Sequence, residues 1–249
     1  MLSKIKYLTF FCLISVAFCD ENLSINNTLN NAENQSFDSS FDDLDEEFNK
    51  KEVYDPLKSY NEVMTNFNIG FYRYVAKPVI ITYDFVIPDV ARSGLRNFFS
   101  NLAMPIRFSG NLLQLKFKES GTELLRFTVN TFFGFLGLHD TASVSGIAKY
   151  DSDFGIALAH WGVGGGFHFV LPFLGPSNLR DIASLPVNWY LSPTGYLEPF
   201  WLSLSVNSFA IMNTMSLESK TLDEIYFNTP NVYPFLRDAY EARREALSK

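Results

Sequence analysis

The sequence predicts an all-α fold, and three observations carry that prediction. Apolar residues recur at helical spacing in several long stretches. Strand-like alternation is scarce outside Phe167–Leu171. No internal repeat or low-complexity segment follows residue 50. The 249 residues suffice for one ordinary domain with a full core, or two small ones.

The N-terminus, "MLSKIKYLTFFCLISVAFCDE", sets two lysines before an apolar run that ends near Cys19. This reads as a secretory signal over residues 1–19, too short to span a bilayer. Both cysteines, Cys12 and Cys19, lie inside it, so the mature chain has no disulfide. A lipid-modified cysteine normally follows a small residue, and here Phe18 precedes Cys19. Ordinary cleavage after Ala17 or Cys19 is therefore the expectation. Residues 20–50 are Asn-, Ser- and acid-rich and carry a net charge of −8. They cannot bury enough apolar surface to fold alone and read as a disordered leader. The body, 51–249, is left nearly neutral, which gives no support to nucleic-acid binding. The chain as a whole is rich in Phe (25 residues), and its 19% charged residues fall below the roughly 25% of soluble domains.

The body opens with "YDPLKSYNEVMTNFNIGFYRYV". Asp55 suits an N-cap and Pro56 the first helical position, with Leu57, Tyr60, Met64, Phe67, Phe71 and Val75 at helical spacing. A second helix is expected over residues 89–115, bent at Pro105. A third spans about 118–134, shorter pieces fall near 153–160, a long aromatic stretch covers 195–217, and a terminal helix runs over 234–247.

The third helix inverts the usual pattern. "ESGTELLRFTVNTFFGFLG" is apolar on most of its circumference, with Glu123, Arg126, Asn130 and Gly134 along one stripe. Such a stripe faces a bundle interior or a watery cavity inside a membrane. A buried helix of a soluble protein, with Arg126 paired to a core acid, fits it equally. Two charge-free segments tilt the balance toward a membrane. Residues 154–179 carry no Asp, Glu, Lys or Arg over 26 positions, but hold six glycines and two prolines, so no straight helix crosses a bilayer there. Residues 199–217, "PFWLSLSVNSFAIMNTMSL", are too studded with Ser and Asn for a free span and suit a helix packed among others inside a membrane.

Four ordered motifs carry a resemblance. They are "YDPLKSYNEVMTNFN", with Asp55 and Pro56; "RSGLRNFFSNLAMP", with Asn97 and Asn101; "RFTVNTFFGFLGLHDTA", with Arg126, Asn130 and Asp140; and "FGIALAHWGVGGGFHFVLPFLGPSNLRD", with Gly162, Gly164, Gly166, Arg180 and Asp181. Each is loose alone; together they cover about residues 54–245. On them the chain resembles the MlaA (VacJ) family of outer-membrane phospholipid-transport proteins. The resemblance implies a compact ring of amphipathic and membrane-embedded helices around an internal amphipathic channel, lying mostly at the inner leaflet of the outer membrane. It implies removal of mislocalised phospholipids from the outer leaflet, delivery to an MlaC-like periplasmic lipid carrier, and a trimeric porin as neighbour. It implies no cofactor. The site residues at matching positions, Asn97, Asn101, Arg126, Asn130, Gly162, Gly164, Gly166, Arg180 and Asp181, become lipid-channel candidates. For Arg126 and Asn130 a structural role stays open, with Arg126 held by Asp140 or Asp181. On the polar side of the terminal helix, Arg237, Arg243 and Arg244 are carrier-contact candidates. A solvated helix with an Arg237–Glu241 pair accounts for them equally.

Two rival classes stand against this resemblance. A lipid hydrolase lacks support: there is no G-x-S-x-G elbow, no H-E-x-x-H and no P-loop, and His139, His160 and His168 have no metal-ligand spacing. A structural or adhesive envelope protein without transport is opposed only by the four motifs.

Overall fold

The computed structural model describes residues 53–249. The expected signal segment and acidic leader lie outside the described residues.

Helices α1 (Lys58–Phe71) and α2 (Lys77–Val86) form one rod, joined by a π-helical turn at Tyr72–Ala76. Pro78 at the start of α2 has no N–H to donate back along the rod, and the widened turn just before it absorbs that gap. The same turn swings Tyr72 inward, to 1% exposure. The expected N-cap is corrected: α1 starts at Lys58, with Leu57 in the cap position and no side-chain cap bond. Asp55 instead accepts from Asn61 Nδ2 at 2.8 Å and from the Tyr233 hydroxyl. The terminal helix competes for its carboxylate and wins.

The helix expected over 89–115 is two helices, α3 (Asp89–Leu102) and α4 (Met104–Leu113), broken at Ala103. Pro105 sits in the first turn of α4, where a missing N–H is tolerated, so it starts a helix instead of bending one. Next come α5 (Phe117–Phe133), the single turn α6 (Thr141–Val144) and α7 (Phe154–His160). Asp140 caps α6 through Ser143 N at 3.1 Å, and Asp153 caps α7 through Ile156 N at 2.7 Å.

A hairpin follows, β1 (His168–Leu171) antiparallel to β2 (Gly175–Asn178), with His168 opposite Asn178. Two asparagines one heptad apart on α1 clip it from one side. Asn61 accepts from Val170 N and donates to the His168 carbonyl; Asn68 accepts from Phe173 N and donates to the Leu171 carbonyl. Helix α8 (Leu179–Leu191) is capped by Asn178, and a 3₁₀ turn (Pro193–Tyr196) leads to α9 (Phe200–Leu217), α10 (Ser219–Asn228) and α11 (Val232–Ser248).

Packing closes a circuit. Helix α1, the π turn, α2, α9, α3, α4, α7 and α11 each rest on the next, and α11 returns to α1. The fold is an all-α ring with one small hairpin.

Its burial is inside out. Among the described residues, 25 polar or charged side chains are buried against 14 apolar ones. A water-soluble domain buries mainly Ile, Val, Leu and Phe. On α5 the buried residues are Ser120, Glu123, Arg126 and Asn130, while Phe132 and Phe133 are 77% and 72% exposed. On α9 they are Ser203, Asn207, Ala210, Asn213 and Ser216, while Trp201 faces out. No helix among the described residues is long and apolar enough to cross a membrane.

Candidate functional site

The inward stripe of α5 meets α3, α4 and the start of α6 around a polar cavity of about 20 Å³. Its wall is Asn97, Ser100 and Asn101 from α3, Arg107 from α4, Arg126 and Asn130 from α5, and Asp140 at the cap of α6. The volume suffices for a buried water, with polar partners on every side.

Hydrogen bonds fix most of the wall side chains, and Asp140 Oδ1 is shared by two of them. Arg126 Nη2 donates to both Asp140 oxygens and to Ser143 Oγ, all at 3.0 Å, and its Nη1 donates to the Ile147 carbonyl. Asn130 donates to Asp140 Oδ1 at 2.9 Å and accepts from Ala142 N at 2.8 Å. Asn101 donates to Thr131 Oγ1, and Asn97 to the Leu138 carbonyl at 3.4 Å. Arg107 Nε donates to Glu123 Oε2 at 2.6 Å, and Glu123 is fully buried. Burial alone would raise the Asp140 carboxyl, but bonds from Ser143 and Asn130 and the Arg126 charge hold it below its ordinary range.

The chain from α5 to Asp140 has to turn sharply to bring these groups together. Gly137 adopts φ +93°, and a Cβ there would sit 2.5 Å from the Asn101 side chain. Phe135 and Leu136 take left-handed conformations although neither is glycine, and both side chains are more than half exposed. Such strain persists only where the surroundings impose it. The Asn130 carbonyl supplies part of that restraint by accepting from both Gly134 N and Gly137 N.

Of the nine lipid-channel candidates, Asn97, Asn101, Arg126 and Asn130 come together here. Gly162, Gly164, Gly166, Arg180 and Asp181 stand apart from this cavity. The glycines form the approach to the hairpin, with left-handed φ at Gly162 and Gly166. Arg180 and Asp181 belong to a second buried cluster that ties α7, α8 and α11. Arg244 donates to Asp153 at 2.6 and 3.0 Å and to Asp181 at 2.8 Å. Arg180 donates to Asp181 at 2.9 Å, and Tyr240 to Asp181 at 2.7 Å. Burial works to raise the Asp181 carboxyl, yet Arg244 and Arg180 together hold it below its usual value. Gly155 is required beside them: a Cβ there would lie 2.4 Å from Asp181 Oδ1.

This corrects the reading of Arg244. It is 6% exposed and bound to two carboxylates, so it presents no surface to a partner. A buried arginine spaced like a surface one was the source of the error. The Arg237–Glu241 pair is also replaced. Arg237 binds Asp238 at 2.7 Å and approaches Asp55 at 3.7 Å, while Glu241 accepts from His168 and Asn178 across the mouth of the hairpin. Arg243 is half-buried.

Arg107 and Ser100 were missed from sequence. Arg107 did leave a signal, being the one charged residue between Asn97 and Leu115. A lone cation in an apolar run marks a polar interior.

A ring of helices with its polar groups turned inward and its apolar groups outward is the burial pattern of a membrane-associated class of protein. The model of the family described as MlaA lipoprotein matches residues 53–247, and the chain belongs to that family. An uncharacterised protein of Rickettsia felis is 31% identical over 196 residues, 78% of each chain. The intermembrane phospholipid transport system lipoprotein MlaA of Escherichia coli K12 is 35% identical over 131 residues, 51% of this chain and 52% of its own. Its Haemophilus influenzae counterpart is 31% identical over 153 residues, 60% of this chain and 59% of its own. The match thus spans about half the length of these named relatives. A solved structure from work on the structural basis for maintenance of bacterial outer membrane lipid asymmetry superposes with a TM-score of 0.70 at 28% identity. That superposition covers 78% of this chain and 99% of the other.

Proposed function

We propose that the protein removes mislocalised phospholipids from the outer leaflet of the outer membrane and passes them to a periplasmic carrier, maintaining lipid asymmetry. The inverted burial carries this reading. The outward face, with Phe85, Phe132, Phe135 and Trp201 among its exposed side chains, suits acyl chains. The inward polar seam offers headgroups a path that the hydrocarbon around it denies them. The named relatives and the solved structure support the same reading, since they concern phospholipid transport and lipid asymmetry. The work is passage of lipid, without bond-making, so the protein acts as a transporter and not as an enzyme.

In this reading the body lies at the inner leaflet of the outer membrane, facing the periplasm, with its signal peptide removed. The closed helical circuit surrounds an amphipathic channel, and a trimeric porin is a neighbour. Arg237 and Arg243 on α11 remain as carrier-facing cations. The test is the amount of phospholipid exposed on the cell surface in a strain lacking the gene. It rises on deletion and returns to normal on complementation; an unchanged outer leaflet overturns the proposal.

A further inference from the structure

Two arginines line the cavity, and their partners differ. Both terminal nitrogens of Arg126 are engaged, by Ile147 O, both oxygens of Asp140 and Ser143 Oγ. Arg107 is held differently. Its Nε binds Glu123 at 2.6 Å and its Nη1 binds the Ser100 carbonyl at 2.9 Å. Its Nη2 makes no hydrogen bond among the described residues, although the residue forms part of the cavity wall. Glu123 is fixed in turn, because its other oxygen accepts from Tyr150 N at 2.8 Å. The guanidinium is therefore held at Nε and at Nη1, with Nη2 left as a donor beside a polar cavity.

We infer that Arg107 is the residue that reads the phosphate of a passing phospholipid, and that Arg126 is wall. This rests on the transport reading above and names the group that meets the substrate. A guanidinium stays charged and has three nitrogens, so Nη2 can donate a charge-assisted hydrogen bond to a phosphate oxygen while Nε and Nη1 hold the group in place. The cavity of about 20 Å³ admits a water or a single phosphate oxygen, so the headgroup is touched at the mouth and not swallowed. Glu123 and Asp140 offset the two arginines, so no net positive charge traps an anion. Contact is specific but weak, as passage requires.

The test compares the full chain in detergent with two variants. Arg107→Leu/Glu123→Leu removes the pair together and strands no buried charge. Arg107→Lys keeps the charge but loses the separate Nη2 donor. The probes are dihexanoylphosphatidylglycerol, dihexanoylglycerol and inorganic phosphate, followed by calorimetry, with circular dichroism as the check on folding. The double variant is expected to bind the phospholipid about tenfold more weakly and the phosphate-free glyceride equally well. Arg107→Lys is expected to lie between, and it decides the matter if the double variant does not fold. Unchanged phospholipid affinity in both folded variants overturns the inference. Inorganic phosphate that binds as tightly as the lipid, and displaces it, overturns the headgroup assignment in favour of a free-phosphate site. In cells the two claims separate. If deletion of the gene disturbs asymmetry and the double variant at normal abundance does not, the role of Arg107 falls and transport stands. If deletion has no effect, transport itself falls.

Discussion

Asn130 shows how one side chain joins a wall to a loop. Its amide donates to Asp140, its oxygen takes the N–H of Ala142, and Ala142 is fully buried. Asn130→Leu keeps the size but leaves that N–H without an acceptor, at about 1–3 kcal/mol. Thermal unfolding should show a lower midpoint and cells should show less protein; an unchanged midpoint would mean the loop finds another acceptor. Asp140 and Asp181 make a second, pH-dependent prediction. Both carboxyls are held below their ordinary values in the fold, so the folded state favours the charged form. Their contribution is fully present above the unfolded value of about 4 and is lost as pH falls through the depressed folded values. Stability in detergent should therefore hold from neutral pH to about pH 4 and drop below it. Isosteric Asp181→Asn removes one of the two titrating carboxyls, so it should lower stability at neutral pH and flatten that acid limb.

Helices α5 and α9 argue the inverted architecture at the level of elements. Ser203 is 1% exposed and donates to the Thr194 carbonyl at 2.7 Å, whereas Leu125 is 51% exposed. Ser203→Leu puts bulk where the ring has no room and should destabilise by about 1–3 kcal/mol. Leu125→Ser should leave the detergent-solubilised midpoint within about 0.5 kcal/mol of the parent while lowering recovery with membranes. The opposite pattern, with Leu125 sensitive and Ser203 tolerant, would mark α5 and α9 as ordinary soluble helices. Much of this was legible beforehand. The α5 stripe was visible because polar residues at i, i+3 and i+7 on an apolar helix have few uses. Strand β2 was not, since "GPSN" has no strand propensity and is held by its partner and by Asn178 packing. The capping role given to Asp55 and the exposure given to Arg244 failed for one shared reason. A long-range partner on another helix outbid the local one, and local spacing carries no record of it.

The closed circuit of helices explains how a body with no spanning helix among its described residues can belong to a membrane. Its ring pairs many of the inward polar groups with one another, as in the Arg126–Asp140 and Arg244–Asp153 contacts, and leaves apolar side chains to meet lipid. Four of the nine channel candidates gathered at one cavity because two motifs, one on α3 and one running from α5 to the cap of α6, converge there. Arg180 and Asp181 instead built the buried cluster that fastens α11 to α7 and α8, and the three glycines shape the approach to the hairpin. The central claim is that the body is itself a membrane body, independent of any lipid on Cys19 or of the acidic leader. It is tested by expressing the mature protein without residues 20–50 behind a cleavable signal, and fractionating the envelope after a high-salt wash. The account predicts recovery in the outer-membrane fraction, released by detergent and not by salt. Recovery as a soluble periplasmic protein would contradict it.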